Sequence, residues 1–233
     1  MRFIIKFKLI ALIVVLLSLI QFIYLLNYFY TNKNMVDIYQ DVAEAPIGAI
    51  IKGVTIEQEF VALHNKISAI ELLVATYNRT NTGDVDVEIT NKSDNKNVLK
   101  TKIKASNFRD NTFYRIELPE MQDSKGKLYS IKILSENSKE GDAVTIWASN
   151  QDKYLQGKLR INEVDVSKDL KFTIFYNISN FERYNSALNK LFFNPFTVKL
   201  FIIALLISFN FLITTIIHNL FLKRNNQEKE EYA

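Results

Sequence analysis

The chain has 233 residues, no cysteine and a formal charge of +4. The lack of cysteine rules out disulfides, thiolate metal sites and cysteine nucleophiles. A mild positive balance without a basic stripe of interleaved aromatics argues against a nucleic-acid footprint. Two apolar runs lie at the ends, and the roughly 170 residues between them are enough for one domain with a full core.

A short basic N-terminus, 1–8, carries Arg2, Lys6 and Lys8 and no acid. It precedes a nearly continuous apolar run from Leu9 to Tyr30, which as a helix would be roughly 33 Å long, enough to cross the hydrocarbon core. The positive flank places this end in the cytoplasm, with Tyr24, Tyr28, Phe29 and Tyr30 as an aromatic belt at the outer interface. The run is too long for a signal peptide, so an uncleaved anchor is expected. A second run, 200–222, closes on Lys223 and Arg224 ahead of a short tail, 223–233. Two spans put both termini in the cytoplasm and the middle of the chain outside the plasma membrane. Ser208, Asn210, Thr214, Thr215 and His218 interrupt the second run. Polar residues at such depth face another helix, with Ser18, Gln21 and Asn27 as candidate partners, or satisfy their own backbone.

Residues 31–52 read as a stalk or short helix, broken by Pro46 and Gly48. Strands then follow at about ten-residue spacing with turn clusters between them. Val54, Ile56, Gln58 and Phe60 share one face of the first. Lys66 to Tyr77 is strongly apolar, with a length that favours a strand. Val85, Val87 and Ile89 oppose Asp84, Asp86 and Glu88. Further strands are expected over 98–105, 143–149, 154–161 and 170–176. Arg109 to Ser135 forms the centre. Phe113, Arg115 and Glu117 alternate with Tyr114, Ile116 and Leu118. After a turn-rich bridge, Leu128, Ser130 and Lys132 alternate with Tyr129, Ile131 and Ile133. The fold predicted for 53–177 is all-β, a jelly-roll-type antiparallel β-sandwich, flanked by two transmembrane α-helices. An amphipathic juxtamembrane segment, 178–199, ends near Asn194 and Pro195.

The run of segments Glu57-Gln58-Glu59-Phe60, Tyr77-Asn78-Arg79-x-Asn81-x-Gly83, Asp110-Asn111-x-x-Tyr114, Asp123-Ser124-x-Gly126 and Ile146-Trp147 resembles the extracytoplasmic jelly-roll domains of bacterial envelope membrane proteins associated with surface-polysaccharide and glycosyltransferase systems. These are similar in shape to galactose-binding-like and carbohydrate-binding modules. The resemblance covers Gly53 to Tyr176. It implies a glycan-binding or accessory module in envelope polysaccharide assembly, with an envelope glycan, a membrane glycosyltransferase or a second copy joined through the spanning helices as partners.

Aromatic rings stack on the C–H faces of sugars while planar polar side chains bond the hydroxyls. Trp147 and Tyr77, with Arg79 and Asn81, are therefore the carbohydrate-binding candidates, and Tyr114 and Tyr129 are further aromatics to place. No cofactor and no metal are expected. Asp84 and Asp86 make a D-x-D, and with Glu88 a conceivable calcium face, but a solvated strand face explains them better. Glu57 and Glu59 read as a polar outer face. His64 has no evident Ser or Asp companion and reads as a turn residue. Asp123 to Lys127 reads as a turn in which Gly126 takes positive φ. The chain carries no P-loop, H-E-x-x-H, G-x-S-x-G or G-x-G-x-x-G and reads as non-enzymatic. Alternatives are a two-span polysaccharide co-polymerase, whose proline near the second span Pro195 echoes, and a sensor subunit.

Overall fold

The computed structural model describes residues 2–191, 200, 203–204, 206–219 and 222, with side chains of 2–12, 14–15 and 188–191 outside the description. The chain divides into two compact units, Lys33–Ile178 and a second made of Met1–Asn32 with Ser179–Ala233.

The first unit is a two-sheet β-sandwich. One sheet runs in the order β1 (Asn32–Gln40), β12 (Phe172–Ser179), β4 (Ile67–Ala75), β9 (Thr145–Ala148) and β2 (Ala45–Pro46), with β7 (Thr112–Met121) on the opposite edge of β4. The other runs β11 (Val164–Val166), β10 (Leu159–Ile161), β3 (Thr55–Val61), β8 (Leu128–Leu134), β5 (Asp84–Asn91) and β6 (Lys96–Lys104). The pairings of β4 and β8 with their neighbours are antiparallel. The chain crosses between sheets at β2 to β3, β3 to β4, β4 to β5, β6 to β7, β7 to β8, β8 to β9, β9 to β10 and β11 to β12, a connectivity consistent with a jelly roll. Period-two alternation explains the core. Ile70, Leu72, Val74, Ile116, Phe172 and Ile174 point in from the first sheet, and Ile56, Phe60, Val87, Ile89, Ile131 and Ile133 meet them from the second. Each such side chain contributes about 1.5–3 kcal/mol on full burial.

The structure departs from the sequence pattern at three places. Residues 31–52 are not a stalk: they supply β1 and β2, and bury Ile38 and Ile50. A polar N-terminal half hid β1, whose first residues are exposed and whose burial begins only at Asp37. The two central strands are not partners. β7 pairs with β4, whereas β8 lies between β3 and β5 in the other sheet. Local alternation fixes strand character but not the choice of neighbour. The short β11 was also missed. Gly126 does take positive φ, at 76°.

The outer face of the second sheet is a ladder of alternating charge. Across six strands the register aligns Asp165, Arg160, Glu57, Lys132, Glu88 and Lys100. Arg160 bonds Asp165 at 2.9 Å and Glu59 at 2.7 Å, Lys92 meets Glu57 at 3.2 Å, and Lys100 meets Glu88 at 2.5 Å. Asp86 faces Lys102 at 3.5 Å. Of the D-x-D, Asp86 is thus placed against a lysine along the β5–β6 hairpin, where cross-strand opposite charges stabilise pairing, while the Asp84 carboxylate accepts from Asn137 Nδ2 at 3.1 Å.

In the second unit, α1 (Arg2–Tyr30) and α2 (Asn180–Leu191) are helical, as is 206–219. A capping box starts α2: Ser179 Oγ accepts the Glu182 amide at 3.1 Å, and Glu182 Oε2 accepts the Ser179 amide at 2.9 Å. Phe29 packs edge-on to Phe181, and Tyr30 stacks on it. The Ser18 hydroxyl donates to Asn210 Oδ1 at 2.8 Å, so one expected helix–helix contact is present. Ser208, Thr214 and Thr215 instead donate to carbonyls four residues back. Among the described residues no helix is long and apolar enough to cross a membrane. The first expected span has the side chains of 9–12 and 14–15 outside the description, and the second is described only in part. Residues 192–199, including Pro195, and the tail 223–233 lie outside the described residues.

Two outcomes follow from this packing. Burial alone would raise the Glu57 carboxyl, but the Ser130 hydroxyl, Lys92 and Arg160 outweigh it and hold it below the ordinary range. A depressed folded value gives stability that is complete above the unfolded value and lost as pH falls. The thermal midpoint of the full chain in detergent is therefore expected to be flat near neutrality and to drop below about pH 4.3. Glu57→Gln should remove that part of the slope and cost about 1 kcal/mol or less at pH 7. Because the native chain has no thiol, Ser18→Cys/Asn210→Cys can be probed with a short bifunctional thiol reagent. Intramolecular cross-linking is expected, and its absence in the full chain would refute the helix contact.

Candidate functional site

The outer face of the first sheet differs in kind from that of the second. Its register aligns three rows. Phe113 lies beside Leu73, whose amide donates to the Lys171 carbonyl. The next row is Arg115, Glu71 and Thr173, and the third is Glu117, Ala69 and Phe175. The intervening rows, such as Ile116, Ile70 and Ile174, point into the core. Strand alternation therefore forces these residues onto one surface.

That surface is aromatic and cationic. Lys171 Nζ lies 4.6 Å from the Tyr39 ring centroid and 5.9 Å from that of Phe113. It donates to the Tyr39 hydroxyl at 3.4 Å and to the Asp41 carbonyl. Lys171 itself is only 6% exposed, while Tyr39 is 59% and Phe113 45% exposed. The ammonium is thus shielded beneath two rings that face outward. Arg115 lies over Phe175 at 4.4 Å and is bound by Glu71 at 3.2 Å and Glu117 at 2.6 Å. Burial alone would lower its guanidinium, but those two carboxylates hold it above its usual range.

Trp147 follows on the same sheet, its carbonyl accepting the Lys171 amide at 2.7 Å. Its indole Nε1 donates to Asn111 Oδ1 at 2.8 Å. Asn111 Nδ2 in turn donates to Asp110 Oδ2 at 2.9 Å, and Asp110 Oδ1 accepts the Thr76 amide at 2.5 Å. Burial would raise the Asp110 carboxyl, but the backbone amides of Thr76 and Asn78 and the Thr76 hydroxyl hold it low. This carboxylate pins the turn after β4, where Tyr77 and Asn78 both take left-handed φ near 55°, a costly geometry for a tyrosine. Arg79 lies 4.9 Å from the Tyr77 ring and donates to the Ala143 carbonyl at 3.3 Å.

Of the four predicted sugar contacts, Trp147, Tyr77 and Arg79 are tied to this end of the sheet through Asp110 and Asn111. Asn81 is not: it is 1% exposed, so it offers no amide to a surface ligand. Tyr129 stacks on Phe60 in the core, and Tyr114 packs edge-on against Phe108. Sequence reasoning missed Tyr39, Phe113, Arg115, Lys171 and Phe175. The alternation of Phe113 and Arg115 was visible, but only the register shows what they face.

His64 is also corrected. Its Nδ1 lies 2.6 Å from Asp37 Oδ1, whose side chain is fully buried, and its ring stacks on Tyr176 at 4.2 Å. Asp37 lies in β1, which the stalk reading had concealed. The Ser124 hydroxyl bonds the His64 backbone carbonyl at 2.9 Å rather than the ring, so the group clamps a turn. Two open clefts lie elsewhere, one of 460 Å³ along 52–55 and 134–136, another of 180 Å³ along 157–159 and 165–168. Neither is lined by an aromatic ring, so neither offers a stacking platform.

No family model and no curated protein matches the chain. Among solved structures it is similar to xylanase 10C of Cellvibrio japonicus in complex with xylopentaose, at TM-score 0.33 and 10% identity over 56% of this chain and 26% of that one. It is similar to the cysteine protease and lectin-like domains of Cwp84, a surface-layer-associated protein of Clostridium difficile, at TM-score 0.37 and 8% identity over 54% and 32%. The xylan-binding module CBM15 gives TM-score 0.33 and 9% identity over 63% and 97%. The chain therefore spans less than a third of the first two chains. Likeness at these scores assigns neither family nor ligand.

Trp147 is the sole tryptophan, so its emission reports on this network. Asn111→Ala is expected to shift that emission, raise its quenching by acrylamide and cost about 1 kcal/mol of stability. Unchanged emission and quenching would show that the indole is held by something else.

Proposed function

We propose that this chain is a non-enzymatic, membrane-anchored protein whose β-sandwich binds a saccharide outside the cell through the outer face of its first sheet. The observation that carries the reading is the pair of exposed rings, Tyr39 and Phe113, flanking Lys171 beside Trp147. Rings present apolar area to sugar C–H faces, and the neighbouring polar groups bond hydroxyls, which is the division of labour of small-molecule sites. On the outer face of the second sheet, Glu88 instead pairs with Lys100, and Arg160 with Glu59 and Asp165.

The anchoring part rests on sequence. The run from Leu9 to Tyr30 is long enough to span, with Arg2, Lys6 and Lys8 on the cytoplasmic flank. The 29-residue helix α1 contains it. A place in envelope polysaccharide assembly rests on the segment-order resemblance alone. The co-polymerase alternative expects a largely helical external domain. The twelve-stranded unit between the terminal helices does not favour it.

The full chain in detergent or nanodiscs should be titrated with a panel of polysaccharides while Trp147 emission is followed. Saturable changes are expected for at least one polymer, and Tyr39→Ala or Phe113→Ala should weaken binding about tenfold, equivalent to about 1.4 kcal/mol. Tight binding that both substitutions leave intact would move the site off this face. No binding across the panel would overturn the saccharide reading.

A further inference from the structure

Lys171 is an unusual group for an exposed sheet face. It is charged and 94% shielded, by the 6% exposure of the residue, yet it has no carboxylate within ion-pair distance among the described residues. Its named partners are a carbonyl, a phenol and two aromatic rings. The carboxylates near it are committed elsewhere or face away. Glu71 and Glu117 hold Arg115. Asp169, two residues upstream, is fully buried and accepts the amides of Lys153 and Tyr154 and the Gln58 amide group. Asp41 contributes its carbonyl rather than its side chain.

An ammonium has three donors. The Asp41 carbonyl and the Tyr39 hydroxyl take two of them. A cation that is poorly hydrated and held by dipoles gains more from an incoming anion than a fully hydrated surface lysine does, because screening is weaker beneath the rings. We propose, resting on the saccharide reading above, that the ligand is an acidic saccharide whose anionic group is held by the weakly screened charge of Lys171 while its ring stacks on the exposed Tyr39 or Phe113. Charge complementarity sets the site: Arg115 is already neutralised by two carboxylates, whereas Lys171 between the two rings has none among the described residues.

A carboxylate and a phosphate share this chemistry, and polymers separate them. The full chain is titrated with a polyuronate, a phosphodiester-linked glycan polymer and a neutral homopolymer at low and high salt. At low salt at least one acidic polymer should bind at least tenfold more tightly than the neutral one, and added salt should erase most of the difference. Whichever acidic polymer binds more tightly identifies the anionic group. Lys171→Met should abolish the preference and its salt dependence while leaving weak neutral binding, and Lys171→Arg should retain it. Equal wild-type affinity for neutral and acidic polymers overturns the acidic assignment but keeps the saccharide reading. Absence of binding to every polymer overturns both. The wild-type comparison decides even if a variant fails to fold, which the Trp147 emission and thermal midpoint report.

Discussion

Strand β4 is the constraint on which the sandwich depends. It is hydrogen-bonded on both edges, to β7 on one side and to β12 and then β9 on the other. Ile70, Leu72 and Val74 enter the core from it, while Ala69, Glu71 and Leu73 form the spine of the outer face. A slip of one residue would exchange those two sets. It would bury Glu71 without Arg115 and expose three aliphatic side chains, so the register is strongly specified. Everything on the functional face inherits its position from that register.

The two outer faces answer different physical demands. On the second sheet, alternating signs run across the strands, and Glu57, Glu59, Asp86, Glu88 and Asp165 each have a cation within reach. Charges paired in this way offer little to a ligand. On the first sheet the charges are fewer and lie beneath or beside rings: Arg115 over Phe175 and Lys171 between Tyr39 and Phe113. Cation–π contact offsets part of the cost of shielding those cations. It leaves the rings partly exposed rather than folded into the core.

Much of the strand content was legible because period-two alternation is local. Phe113 to Leu118, Leu128 to Ile133 and Val85 to Ile89 all appear as strands where that pattern places them. What the pattern does not carry is pairing. The bridge between β7 and β8 has the composition of a hairpin turn, yet it carries the chain from one sheet to the other. β1 was illegible for another reason. Its N-terminal half is polar and exposed, and its buried members include Asp37 and Gln40, whose burial makes sense only with His64 and the Leu170 carbonyl as partners. The same gap hid Tyr39. Trp147 and Tyr77 could be nominated because aromatic residues stand out in a sequence. Lys171 could not, since one lysine among many gains meaning only from what surrounds it. Asn81 failed for the converse reason: a polar residue in a turn cluster looks exposed, and here the turn folds it inward.

The face is assembled from side chains on β1, β7, β9, β12 and the residue just before β12, distant in sequence and held by backbone hydrogen bonds rather than by a loop. Its geometry is therefore set before any ligand arrives, and ordering costs on binding are small. The one turn that contributes, at Tyr77, is held by Asp110 in a conformation a tyrosine would not otherwise adopt, which extends the same rigidity to the sheet's end. A flat sheet face surrounds little of a ligand, so single-site affinity is limited by the area it can cover. Attachment to a bilayer, as proposed, changes that limit. Many copies confined to one surface meet a repeating polymer at high effective concentration, and successive weak contacts on one chain multiply. Rigid, shallow and uniformly presented sites gain most from that arrangement, because each additional contact forms without further reorganisation of the protein.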